Sequence, residues 1–112
     1  MPSKLTYVIK FVADMDQAVR FYRDILNLPL KFQSPEWSEF VTGETTLALH
    51  PASPKNPAGT IQLGFGVPDI QVFHMEMMAK GVKFTLPPTE EEGATLARFL
   101  DSEGVECGVS GK

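Results

Sequence analysis

The first hydrophobic run, Leu5 to Val12, is rich in β-branched and aromatic residues and suits a pleated, half-buried strand. Polar Asp14 follows with the side chain of an N-cap, and Gln17 stands three positions on to complete a capping box. The apolar positions then change period. Met15, Ala18, Val19, Tyr22, Ile25 and Leu26 recur at spacings of three and four, with Arg20, Arg23 and Asp24 mostly on the other side, which predicts an amphipathic helix. Asn27 suits a left-handed cap, Pro29 stops the helix, and another apolar strand lies around Leu30 to Phe32. Trp37 to Val41 and Thr45 to His50 read as two further strands, turned through Thr42-Gly-Glu with Gly43 at the tip. In the second of these, alternation sends Leu47 and Leu49 toward the helix and Ala48 and His50 to the opposite face.

Pro51-Ala-Ser-Pro-Lys-Asn-Pro-Ala-Gly excludes helix and central strand and reads as a linker. After it the same plan returns. Ile61 to Val67 is a strand whose glycines, Gly64 and Gly66, mark a bulge or a close backbone approach. Asp69 repeats the N-cap, Ile70, Phe73, His74 and Met77 stripe a shorter helix, and Gly81 ends it. Val82 to Leu86 is a strand cut off by Pro87-Pro88, Thr89-Glu-Glu-Glu-Gly is a solvated acidic loop, and Thr95–Leu100 with Val105–Val109 forms a hairpin in which Gly104 takes positive φ. Superimposing Val12-Ala-Asp14 on Val67-Pro-Asp69 sets Tyr7 opposite Gln62 and Met15 opposite Ile70. The order is strand, helix, strand, strand, strand, twice over: a module over residues 5–50, a linker over 51–60 and a second module over 61–109, within one domain.

Composition narrows the function classes. The 112 residues are 43% hydrophobic and 21% charged, as in an ordinary globular domain. A net charge of -4 argues against a nucleic-acid partner. No apolar run is long enough to span a bilayer, and Met1-Pro-Ser-Lys leads into a strand with no secretory pattern. One cysteine, Cys107, excludes an internal disulfide framework and fits a cytoplasmic protein. Phosphate-binding loop, nucleophile-elbow and paired-cysteine zinc motifs are absent from the sequence.

The doubled plan, Val12-Ala-Asp-Met followed by Ala18-Val-Arg-Phe-Tyr-Arg-Asp-Ile-Leu-Asn-Leu, the strand end Thr46-Leu-Ala-Leu-His, and the turn Phe99-Leu-Asp-Ser-Glu-Gly resemble the vicinal oxygen chelate superfamily. That superfamily includes glyoxalase I, bleomycin and fosfomycin resistance proteins and extradiol dioxygenases. Asn27 replaces the usual glycine and Ser102 the usual proline. The resemblance implies an α+β fold of tandem βαβββ modules, with curved mixed sheets forming a cup and helices packed on the outer face. Such sheets have exposed edges, which two modules can cover by pairing within a chain or between chains, and a homodimer is expected.

In the metal-dependent members, four strands each give one ligand. Carried over by motif spacing, these positions are Tyr7, then Ala48 or His50, then Gln62, then Gly108 with Glu106 its neighbour on the same parity. Such a set is a poor cage, because divalent ions in nitrogen and oxygen sites want three or four anionic or imidazole donors. No cofactor is therefore expected; His50, Gln62 and Glu106 are the weak candidates for a divalent metal if the register slips. The reading adopted is a small-molecule-binding protein of the bleomycin-resistance type, with ligand-binding candidates Tyr7, Trp37, His50, Gln62 and Glu106. That branch binds a bulky planar or cationic molecule; Phe11 and Phe40 join the aromatic walls, and the negative charge favours a cationic ligand. The alternative is a metal-dependent lyase, isomerase or dioxygenase with an atypical ligand set, and a third reading is assembly with a protein partner. As plain structural roles, His50 is a hydrogen-bonded strand end, His74 packs at a helix edge, and Cys107 is a buried inert thiol.

Overall fold

The structure is a computed structural model that describes residues 3–91 and 93–112. Met1 and Pro2 of the N-terminal reading and Glu92 of the acidic loop lie outside them. The chain divides into two compact units, one spanning Thr6–Gln62 and the other built chiefly from Leu63–Lys112.

The N-terminal unit runs β1 (Lys4–Val12), α1 (Met15–Arg20), a π-helical turn (Phe21–Ile25), β2 (Leu30–Gln33), β3 (Ser38–Phe40) and β4 (Thr46–Pro51). Its strands lie in the order β2-β3-β4-β1, antiparallel except for β1 against β4. The second repeat, whose first two residues Ile61 and Gln62 still belong to the N-terminal unit, runs β5 (Ile61–Gly66), α2 (Ile70–Ala79), β6 (Phe84–Glu91), β7 (Ala94–Leu100) and β8 (Glu106–Gly111). Its order is β5-β8-β7-β6, again with the first and last strands parallel. The expected α+β architecture of two βαβββ repeats is thus the fold, and both repeats trace one chain path.

Each helix starts where the sequence places its cap. Asp14 accepts the Gln17 N–H at 3.0 Å, and Asp69 accepts those of Gln71 and Val72 at 3.0 and 3.1 Å, which satisfies donors that a first turn leaves orphaned. Asn27 turns left-handed at φ 59° and ends the first helical segment. Val19 of α1 then packs on Phe40 and Leu49, with Val12, Tyr22 and Leu47 around them. In the second unit Ile70 of α2 packs on Ala97 and Val109, walled by Phe65, Phe73, Phe84 and Phe99. Phe40 is therefore core and not an aromatic wall of the opposite face: alternation along β3 turns Ser38 and Phe40 toward α1.

The first helix differs from expectation in its second half. Leu26 N–H bonds to the Phe21 carbonyl at 3.1 Å, five residues back, so the chain widens into a π turn and leaves Phe21 and Ile25 46% and 67% exposed. In the second unit β6 passes through Pro87-Pro88 to Glu91, where the sequence suggests a stop and a loop. Two register shifts, flanking Leu86 and spanning the prolines, absorb the missing N–H groups on a strand that ends the β5-β8-β7-β6 order. Among the described residues no helix is long and apolar enough to cross a membrane.

Candidate functional site

With Leu47 and Leu49 committed to the helix side of the N-terminal unit, β4 turns Ala48 and His50 to the other face. Register sets Ile9 and Glu39 beside Ala48, and Phe11 beside His50; Tyr7 shares the parity of Ile9 and Phe11 on β1. Trp37, immediately before β3, completes the group.

These side chains form one aromatic patch. Trp37 lies edge-on to Tyr7 at 6.0 Å between ring centroids and to His50 at 6.2 Å, and His50 meets Phe11 at 5.5 Å. Edge-to-face geometry at these separations is the favoured arrangement of aromatic pairs. A short side chain at buried Ala48 leaves the middle of the patch low, so rings from its two sides can approach. Trp37 Nε1 donates to Glu39 Oε2 at 2.7 Å, which fixes the indole and holds a carboxylate, 17% exposed, among the rings. Lys31 Nζ stands 4.0 Å from the other oxygen on an exposed stem. Burial, and then the charge of Glu39, push the Tyr7 phenol above its usual value of 10.0, so Tyr7 is a neutral donor near pH 7. His50 Nδ1 lies 2.8 Å from the Pro51 carbonyl oxygen, a bond that requires the proton on Nδ1 and leaves Nε2 available on an exposed ring.

Of the residues expected at a site, Tyr7, Trp37 and His50 come together here. Glu106 belongs to the C-terminal unit, where its Oε2 accepts from Thr85 Oγ1 at 2.6 Å. Gln62 is half-buried on β5. On the sheet face away from α2, Gly64, Gly108 and Arg98 lie side by side in register, so that unit presents glycine where the first presents rings. Glu39 was missed by motif spacing. Its signal was the Trp37-x-Glu39 step, which puts an indole donor and a carboxylate on one side of a strand.

The residues at the superfamily's ligand positions do not fit a divalent cation. A protonated phenol is a poor ligand, and Ala48 and Gly108 carry no donor. Among the described residues no three His, Cys, Asp or Glu side chains form a group able to hold a metal ion.

Comparison with known proteins places the chain. The sequence profile of the Glyoxalase/Bleomycin resistance protein/Dioxygenase superfamily matches residues 4–108. The chain belongs to that superfamily. This superfamily protein is 32% identical over 118 residues to the uncharacterized protein YurT of Bacillus subtilis (strain 168), covering 90% of this chain and 93% of the relative. Its fold superposes on methylmalonyl-CoA epimerase from Mycobacterium tuberculosis with a TM-score of 0.80 at 17% identity, over 96% of this chain and 86% of the other. A hypothetical protein from Bacillus halodurans C-125 superposes with a TM-score of 0.79 at 20% identity, over 100% and 96% of the two chains. Likeness at these identities is a likeness of fold, and function rests on the site.

Proposed function

We propose that this superfamily protein is a small-molecule-binding protein whose N-terminal unit takes a planar or cationic ligand on its aromatic patch, without a metal. The observation that carries the reading is Glu39, a partly buried carboxylate pinned to Trp37 and set near Tyr7. A cation over an aromatic face gains from the ring quadrupole, and a carboxylate beside it adds direct Coulomb attraction. Lys31 is the competing cation; its exposed stem lets it move into solvent when a ligand arrives. At the rim Tyr7 supplies a hydrogen-bond donor and His50 Nε2 an acceptor. The buried free thiol of Cys107 suits a reducing compartment, and we place the protein in the cytoplasm.

Calorimetric titration with phenyltrimethylammonium, with and without EDTA, tests this reading. Saturable binding that is indifferent to the chelator and lost in Trp37→Ala is expected. Binding or turnover that vanishes with EDTA and returns with a transition metal would replace it with the metal-dependent lyase, isomerase or dioxygenase reading. No saturable binding at millimolar cation would discard the cationic ligand altogether.

A further inference from the structure

On the other side of the same sheet lies a groove of about 620 Å³, walled by the end of β1, by α1 with its π turn, and by the Ala58–Gly59 loop. Its size falls in the range of small-molecule clefts, roughly 300–1,000 Å³. The walls are fixed. The Gly59 N–H donates to the Phe11 carbonyl at 2.8 Å and the Phe11 N–H to the Thr60 carbonyl at 3.0 Å, so the loop is pinned along β1. Opposite, the π turn holds Phe21 and Ile25 out of the core, with Phe21 edge-on to Tyr22 at 5.2 Å.

The groove's charges are unusual. Lys10 shares the parity of Val12, the helix-facing side of β1, yet it is half-buried and, among the described residues, forms no ion pair. Arg20, from the opposing helix, forms no ion pair within 4.0 Å among the described residues, although its charge also acts on Asp24, which Arg23 holds in bonds of 2.8 and 3.1 Å. Asp14 is the one acid on the lining, and its Oδ1 is already taken by the Gln17 N–H. An ammonium without an ion pair beside an apolar slot offers an anion charge complementarity at one end and apolar contact along the rest.

We infer that this groove binds a small carboxylate with an apolar tail, its carboxylate on Lys10 and its tail along Val12, Ala18, Phe21 and Ile25. A monoanion balances Lys10, whereas a dianionic phosphate would meet the remaining charge of Asp14. The site lies on the face away from the aromatic patch and stands or falls separately from it.

The test is an amide NMR titration of the whole chain with octanoate and 4-phenylbutyrate, each against its uncharged alcohol. Saturable shifts at Val12, Ala18, Ile25 and Gly59 are expected, with the acids binding about tenfold tighter than the alcohols. Lys10→Met should bring acid and alcohol to parity, and exposed Ile25→Glu should weaken both. Arg20→Gln, a change on an exposed helical surface, gives the same comparison if Lys10→Met fails to fold, and should narrow the acid preference. Whichever acid binds more tightly identifies the tail as linear or aromatic. Equal affinity for acid and alcohol in the unaltered protein, shifts confined to Trp37 and His50, or no saturation would overturn the inference.

Discussion

Glu39→Gln separates charge from shape at the aromatic patch. Glutamine keeps the length of the side chain and an oxygen that can still accept from Trp37 Nε1, so the indole stays fixed while the negative charge goes. A ligand cation seated over the rings would lie about 5 Å from the carboxylate, where Coulomb attraction is roughly 1–3 kcal/mol for an effective dielectric between about 80 and 20. The 17% exposure of the Glu39 side chain sets the site between those limits. Affinity for phenyltrimethylammonium should therefore fall roughly 5- to 150-fold, while affinity for neutral tert-butylbenzene stays the same. Lys31→Met should act in the opposite sense, because it removes the competing ammonium. Tyr7 provides an internal gauge: its pKa should drop in Glu39→Gln yet remain above 10.0, since burial is the larger cause and is untouched. Calorimetry on the two ligands and a ¹³Cζ-tyrosine NMR titration read these changes. Equal losses for cation and neutral analogue, or an unmoved Tyr7, would refute the electrostatic argument.

Two other predictions concern the C-terminal unit. In Gly111→Ala the new methyl would press into the Val67 carbonyl oxygen and stand 3.0 Å from Val67 Cγ2, which forces a backbone shift costing about 1–3 kcal/mol in urea unfolding; unchanged stability would show that the β5 and β8 ends separate freely. Burial first, and then Asp101 and Glu106, raise the Cys107 thiol above 9.0, so native protein should resist Ellman's reagent at pH 8. The folded state keeps that proton longer than the unfolded chain. The resulting stability is fully present below pH 9.0 and is lost as pH rises through the folded pKa, a slope that Cys107→Ala should lack.

The two repeats were legible because their punctuation is local. Asp14, Asp69, Asn27 and Gly104 each do in the structure what their side chains or lack of one dictate, and Leu47 and Leu49 face the helix as period two requires. The π turn escaped notice because Phe21, Tyr22 and Ile25 fit a spacing of three and four as well as they fit the widened turn. Pro87-Pro88 misled for a different reason: a proline stops a central strand, but an edge strand with register shifts tolerates it. At the candidate site, motif spacing reached Tyr7 and His50 but passed over Glu39, whose role comes from the two-residue step to Trp37 and not from any position the superfamily's motifs mark.

The parallel pairing of first and last strands has a consequence for biosynthesis. Within its own unit β1 finds its neighbour only in β4, so nothing can zip onto it until the ribosome has delivered the chain as far as Pro51; β5 waits in the same way for β8. Until then Leu5 to Val12 emerges as an unmated, aggregation-prone ribbon. Fragments that stop short of Pro51 should therefore be sticky nascent products that need a chaperone, whereas a break in the proline-rich linker beyond it would release a ribbon already paired.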